Sequence, residues 1–349
     1  MVDVTIYGAG IFGLSVAWSC LKKGATVRVI DPAGPGAGSS GGLVGALAPH
    51  VPENWNEKKQ FQFESLMMAQ SWWAEITAAG GKDSGYGRTG RLQPIADAHA
   101  LALARARAGT AQTLWQGQAQ WTVIPLDAAP HKTAHWTPHS PSGWLIHDTL
   151  TARMHPRMAC AALAAAITAK GGHITPDADP EGRILWATGV QDLQEISAAH
   201  HRSFGNGVKG QAALLHLDIA HNVPQIFADA VHVVPHVDGT VAIGSTSERA
   251  FDDPHTTDAQ LDQVIARAVA AVPALQQATI IERWAGVRPR SRSRAPVLGR
   301  HPLHPDAFIA NGGFKIGFGM APKVGEVMAE LILTGRNHIP EGFAPTASL

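Results

Sequence analysis

The chain has 349 residues, which is long for one hydrophobic core and enough for two domains. Its hydrophobic fraction of 45% and its 36 glycines fit a globular α/β protein and exclude a disordered one. Lys+Arg and Asp+Glu balance at 28 each, so the chain is a poor general binder of nucleic acid or anionic membrane, and only a local patch is left open.

In chain order, residues 3–7 (DVTIY) read as a buried strand, 11–23 as a helix ended by Gly24, and 26–30 (TVRVI) as a second buried strand. Strand–helix–strand means parallel pairing with a right-handed crossover. The start runs directly into that strand with no charged leader, the pattern expected of a cytoplasmic protein. Residues 32–45 are rich in Gly, Pro and Ser and form no regular element. A helix is expected over 57–79, with Trp72, Trp73 and Ile76 on its apolar side, then a strand at 91–96 and an Ala-rich helix at 97–108. The Pro- and His-containing stretch 125–143 reads as loop.

A short strand near Trp144–Ile146 and a helix over 156–169 come next, with Pro156 in the helix's first turn. The apolar run 158–169 is too short and too Ala-rich to span a bilayer. Residues 183–189 (RILWATG) are a strand into a tight turn, and 208–217, 231–236 and 240–245 are strands, the last two joined by an Asp238-Gly239 hairpin turn. Thr257 or Asp258 caps a helix to about Val272. FIANGG (308–313) is a strand into a glycine turn, and a final helix is expected from near Pro322 to Leu333. Cys20 and Cys160 lie in apolar helical stretches and make no disulfide framework. Parallel α/β pieces at the start, middle and end, with antiparallel strands between, predict a domain split in sequence but contiguous in space.

Gly8-Ala9-Gly10-Ile11-Phe12-Gly13 is GxGxxG, between a strand and a helix, and the second strand ends in Asp31. That context makes it a dinucleotide-binding turn. Gly8 permits the tight turn, Gly10 lets a pyrophosphate approach the backbone, and Gly13 allows close helix–strand packing. The helix N-terminus offers free N–H groups, and Asp31 accepts from a ribose hydroxyl. NAD and FAD share this half, so the motif does not separate them.

Three further segments do. Ser39-Ser40-Gly41-Gly42-Leu43 with Gly45-Ala46-Leu47-Ala48-Pro49, then Trp284-Ala285-Gly286-Val287-Arg288-Pro289, then Gly312-Gly313-Phe314-Lys315-Ile316-Gly317-Phe318-Gly319 span nearly the whole chain. In this order they resemble the D-amino-acid oxidase superfamily of FAD-dependent oxidoreductases. The resemblance implies an α/β, overall α+β, fold. A discontinuous Rossmann-type FAD-binding domain is expected from residues 1–80, 144–190 and 284–349. A substrate domain with a mainly antiparallel sheet is expected from 81–143 and 191–283. It also implies FAD and an amino acid or N-substituted amine as substrate. No cysteine lies near the flavin loops, which argues against a cysteinyl link and for FAD without a covalent bond, and leaves a histidyl link open.

On this reading Gly8, Gly10, Ile11, Phe12, Gly13, Asp31, Ser39, Ser40, Gly41 and Leu43 hold the cofactor, with the turn Ala187-Thr188-Gly189 and the loop Gly313-Phe314-Lys315-Ile316-Gly317. The last helix is expected to aim its N-terminus at the flavin's pyrimidine end. Arg288 forks the substrate carboxylate, and Lys315 is a second candidate for that group. O2 or a quinone takes the electrons. Two departures stand out. Ser293 occupies a place where the family often has Asp, and the only tyrosines are Tyr7 and Tyr86.

Three other readings stay open: oxidation of a hydroxy acid or polyol through the same arginine, a flavin- or nucleotide-binding module without turnover, and the family's tRNA-modifying activity. Neutral charge and the lack of a fused methyltransferase segment count against the last. His131, His135 and His139 are spaced like helical metal ligands, but Pro138 and Pro141 make the stretch a loop, and no metal is expected. His50 is expected to be structural. Four arginines stand at every second position, Arg288, Arg290, Arg292 and Arg294. Pro289 argues against a regular central strand there, and only Arg288 is expected to point into the site.

Overall fold

A computed structural model describes residues 2–130 and 136–349. Two sheets organise it. The six-stranded sheet runs, edge to edge, Val297–Arg300, Phe308–Asn311, Arg183–Trp186, Val4–Tyr7, Val27–Ile30, His173–Thr175. Every neighbouring pair is parallel except the first. Val4–Tyr7 lies centrally, with Ile6 opposite both Val29 and Leu185. Strands buried on both faces favour apolar runs, which VTIY and VRVI supply apart from Thr5 and the partly exposed Arg28.

The helix Ile11–Lys22 is buried along almost its whole length. It packs between Pro156–Ala169 and Gly317–Thr334, and Glu57–Gly80 lies across those two. Gly325 sets one crossing: a Cβ there would lie 2.6 Å from the Ser15 carbonyl oxygen. Trp18, Trp73, Leu66, Met328 and Ile332 fill this core, and each such side chain contributes about 1.5–3 kcal/mol by leaving water.

The eight-stranded sheet runs Thr279–Ser291, Gly205–His216, Thr240–Gly244, Val231–Pro235, Gln225–Ala228, Arg91–Pro94, Trp144–Asp148, Trp121–Pro125. It is antiparallel except between Gln225–Ala228 and Arg91–Pro94. The helix Ala259–Ala271 covers it, setting Leu261, Val264 and Ala268 against Val233, Val241 and Ile243. The mixed α/β class is as expected. Trp144–Asp148 and Thr279–Ser291 join the mainly antiparallel sheet, and Arg183–Trp186 and Phe308–Asn311 the mainly parallel one.

The strand through Pro289 is long, broken only by a register shift near Ile281, and it accommodates the proline because it is an edge strand. The Pro289 carbonyl accepts from Phe314 N–H at 3.1 Å on the outer side. The proline nitrogen faces that side too, so no ladder bond is lost. The last helix starts at Gly317, not Pro322, which lies inside it. The first turn of a helix needs no N–H partners, and a proline read as the first residue here sits a turn and a half further on. The helix Val190–Ala199 and the short strands at 121–125, 173–175, 225–228 and 297–300 had no strong period of their own. No helix among the described residues is long and apolar enough to cross a membrane.

Candidate active site

At the C-terminal end of Val4–Tyr7 the chain turns through Gly8, whose φ is +101°. A Cβ on Gly8 would lie 2.4 Å from the Ala187 carbonyl oxygen, and one on Gly13 would lie 1.9 Å from the Gly8 carbonyl oxygen. Both glycines are therefore dictated by close backbone approach. Gly10 caps the helix Ile11–Lys22 without a side-chain bond. Ser40 Oγ accepts from Ile11 N–H at 3.0 Å, which brings the Ser39–Gly41 turn over the helix N-terminus. Asp31 accepts from Ala9 N–H at 2.8 Å and from Ala33 N–H at 3.0 Å, so its carboxylate is fixed beside the glycine turn.

Ala187 donates its N–H to the Tyr7 carbonyl at 2.7 Å, and Gly189, at φ +68°, caps Val190–Ala199. Two helix N-termini thus open on one space. Behind them Asn311 donates to the Gly189 carbonyl at 2.9 Å and to Asp192 at 3.2 Å, and His301 meets Asp192 at 2.9 Å. Trp186 stacks on Tyr7 with centroids 4.5 Å apart.

That space is a cavity of about 1000 Å3, lined by both sheets. Asp31, Gly8 and Gly10 lie along one part of its wall, and Arg288, Ser245, His232, Phe227 and Lys315 along another. Arg288 is half-buried on the edge strand. Its guanidinium donates to Ser245 Oγ at 2.8 Å and to the Thr246 carbonyl at 3.3 Å. Burial lowers its pKa to about 10 against the pull of Glu248, so it stays charged at neutral pH. Gly210 makes room for it, since a Cβ there would lie 2.0 Å from Arg288 Nη1.

Lys315 is lowered by burial first and then by Arg288 and Arg290. Both Lys315 and Arg290 lie over the Phe314 ring, at 5.7 and 5.5 Å. Among the described residues no carboxylate lies within 4.0 Å of Arg288, Arg290 or Lys315. His232 is pushed down to about 3, chiefly by burial and then by Arg91 and Lys315, so it is a neutral imidazole.

A family model for FAD-dependent oxidoreductases matches residues 3–331. The chain belongs to that family. FAD-dependent oxidoreductases similar to it include the glycine oxidase of Pseudomonas putida, 26% identical with 99% of each chain covered. The bifunctional protein ThiO/ThiG of a Nostoc species is 25% identical over 95% of this chain, which spans about half, 52%, of that protein's length. Among solved structures, an iminodiacetate oxidase from a Chelativorans species superimposes with a TM-score of 0.86 at 24% identity, covering 98% of this chain and 99% of the other. A glycine oxidase from Geobacillus kaustophilus gives 0.84 at 19%, covering 100% and 99%.

The residues present fit the family's cofactor. The glycine turn at Gly8 and Gly10, the carboxylate of Asp31 and a cavity of about 1000 Å3 meet in one place, with Gly13 packed behind Gly8. Neither cysteine lines the cavity, in keeping with FAD bound without a covalent link.

Of the expected site residues, Gly8, Gly10, Ile11, Phe12, Asp31, Ser39, Ser40, Leu43, Ala187, Thr188, Gly189, Arg288, Gly313, Phe314, Lys315 and Gly317 line the cavity. Gly13, Gly41 and Ile316 do not. Gly13 packs on Gly8, the Gly41 carbonyl accepts from Arg157 at 2.8 Å, and Ile316 packs into the core. The helix end lining the cavity is Gly317–Gly319, in place of one at Pro322.

Ser293 is not on the cavity wall. Its hydroxyl accepts from Ala295 N–H at 3.3 Å and its N–H donates to Ser348 Oγ at 3.4 Å, so it shapes the turn after the edge strand. Arg292 donates to the Leu349 carbonyl at 3.1 Å, and Arg294 is exposed. His50 is held by Gln62 off the wall. His131 and His135 lie outside the described residues, and His139 donates its backbone N–H to Ala271.

Sequence reasoning missed Gly210, Phe227, His232, Ser245 and Asn311. His232 carried a signal: it is the one polar residue in the strand VHVVP. The others carried none, because each acts through a partner far away in sequence.

Proposed function

We propose that this protein oxidises the C–N bond of a small amino acid or N-substituted amine that bears a carboxylate. Arg288 is the anchor: its guanidinium is half-buried, held by Ser245 and Thr246, and among the described residues has no carboxylate within 4.0 Å. A charged fork held in this way takes a substrate carboxylate bidentately and fixes the position of the adjacent Cα. This is the observation that carries the reading.

Gly8, Gly10, Asp31, Ser39, Ser40 and Thr188 would hold the adenosine diphosphate half of FAD, and Leu43, Gly313, Phe314 and Gly317 the flavin half. Bound there, FAD supplies the acceptor for a hydride from Cα, leaving an imine that water converts to an oxo acid and ammonia or an amine. Lys315 adds positive charge beside the ring and the carboxylate. His232, Phe227 and Ala230 form the facing wall, and the neutral imidazole there adds no charge of its own beside the substrate. Two unpaired cysteines support a reducing, cytoplasmic setting. O2 or a quinone re-oxidises the cofactor.

The test is anaerobic bleaching of the bound flavin with a panel of glycine, sarcosine, D-amino acids and hydroxy acids. Reduction by amines that carry a carboxylate supports the reading. Reduction by hydroxy acids alone contradicts it.

A further inference from the structure

Away from the cavity wall, two lobes meet at His155, His236 and Asp238, and one potential ligand atom from each lies within 4.8 Å of the other two. His155 is the N-cap residue of the helix Pro156–Ala169. His236 and Asp238 flank the hairpin turn between Val231–Pro235 and Thr240–Gly244. Both histidines are buried, at 7% and 1% exposure, and their rings stand 4.5 Å apart.

The hydrogen bonds set the tautomer of His236. Thr240 Oγ1 donates to Asp238 Oδ1 at 2.7 Å, so its lone pair accepts from His236 Nδ1–H at 3.1 Å. That leaves His236 Nε2 as the acceptor nitrogen. It is buried and among the described residues makes no hydrogen bond of good geometry, although the Leu43 backbone acts on the same ring. An unpaired buried acceptor aimed at a second imidazole and a carboxylate needs a reason.

We propose that His155, His236 and Asp238 bind a zinc-class divalent cation. Two imidazoles and a carboxylate, with a water in the fourth position, are a common tetrahedral set for zinc. His155 Nε2 and Asp238 Oδ2 are already 3.5 Å apart, close to the edge of a tetrahedron with metal–ligand bonds of about 2.1 Å. The chain from His236 to Thr240 to Asp238 orients two ligands at once, as supporting hydrogen bonds do around metals. Binding exchanges one contact: Met158 N–H now donates to His155 Nδ1 at 3.3 Å, and metal at Nε2 requires a proton there instead. The ion would staple the hairpin of the antiparallel sheet to the helix whose Pro156 lines the cavity.

The test uses the chelator-stripped holoprotein, titrated with Zn2+ by calorimetry and followed by its unfolding midpoint. Two variants spare the local structure. His155→Asn keeps a side chain that caps the helix, and Asp238→Asn keeps the oxygen that Thr240 uses. One Zn2+ per chain, a raised midpoint and a loss of about tenfold or more in affinity in each variant support the site. No binding to the unmodified protein, or an affinity unchanged from it in either variant, overturns it. Flavin reduction by substrate is read in parallel and is expected to survive in both variants.

Discussion

The two halves of the cavity are built in opposite ways. The half proposed for the dinucleotide is shaped by backbone at Gly8, Gly10 and Gly13 within one turn, with the Asp31 carboxylate at the end of the next strand. Its spacing is local, because a tight turn and a helix start need neighbouring residues. The half proposed for the substrate is made by side chains, with Arg288, Ser245, His232 and Lys315 meeting only once the large sheet has formed. Backbone sites tolerate no added atoms, whereas side-chain sites tolerate exchange with loss of function. Substitutions in the two halves therefore fail differently.

The sharpest contrast comes from Arg288→Ala. The fold should stand, and kcat/KM for a carboxylate-bearing amine should fall about a hundredfold or more in steady-state assays, matching loss of a buried charged anchor worth about 2–5 kcal/mol. Gly8→Ala should do the reverse. Its Cβ would meet the Ala187 carbonyl at 2.4 Å in a left-handed backbone, so about 1–3 kcal/mol of strain should lower the unfolding midpoint and release flavin during gel filtration.

Gly210→Ala tests the join between the halves. The added methyl meets only the tip of the Arg288 side chain, so the fold should persist, while KM should rise about tenfold as the fork shifts off its geometry.

Smaller effects follow from charge. Arg290 and Lys315 flank Phe314 without ion pairs, so raising ionic strength from about 0.01 to 0.15 M should lower kcat/KM a few-fold, and more for a dicarboxylate than for a zwitterion.

Stability should also fall in acid. His232 and His236 sit near 3 when folded against an ordinary 6.5. The unfolded chain takes up their protons first, so stability is flat above about pH 7 and declines as pH drops from about 6.5 towards 3. Thermal unfolding of His232→Gln should show a shallower decline. An unchanged slope would remove His232 from the account.

The same contrast explains what could be read from sequence. The parallel sheet and the glycine turn were readable because apolar runs and local spacings carry them, and Arg288 was singled out by the family resemblance of its segment. Of the four alternating arginines only Arg288 turns inward, and Pro289 is tolerated by an edge strand that its periodicity could not announce. Gly210 and Ser245 were invisible, since a glycine opposite an arginine and a serine beside it become meaningful only through pairing across strands. Ser293 was read as a departure within the site, yet it belongs to a turn off the cavity wall.

The most direct measurement is an anaerobic rapid-mixing comparison of an amino acid with the matching amine that lacks the carboxylate, in the unmodified protein and in Arg288→Ala. The account predicts a preference for the amino acid of about a hundredfold that collapses in the variant. An equal preference in both proteins would contradict Arg288 as the anchor and, with it, the proposed substrate class.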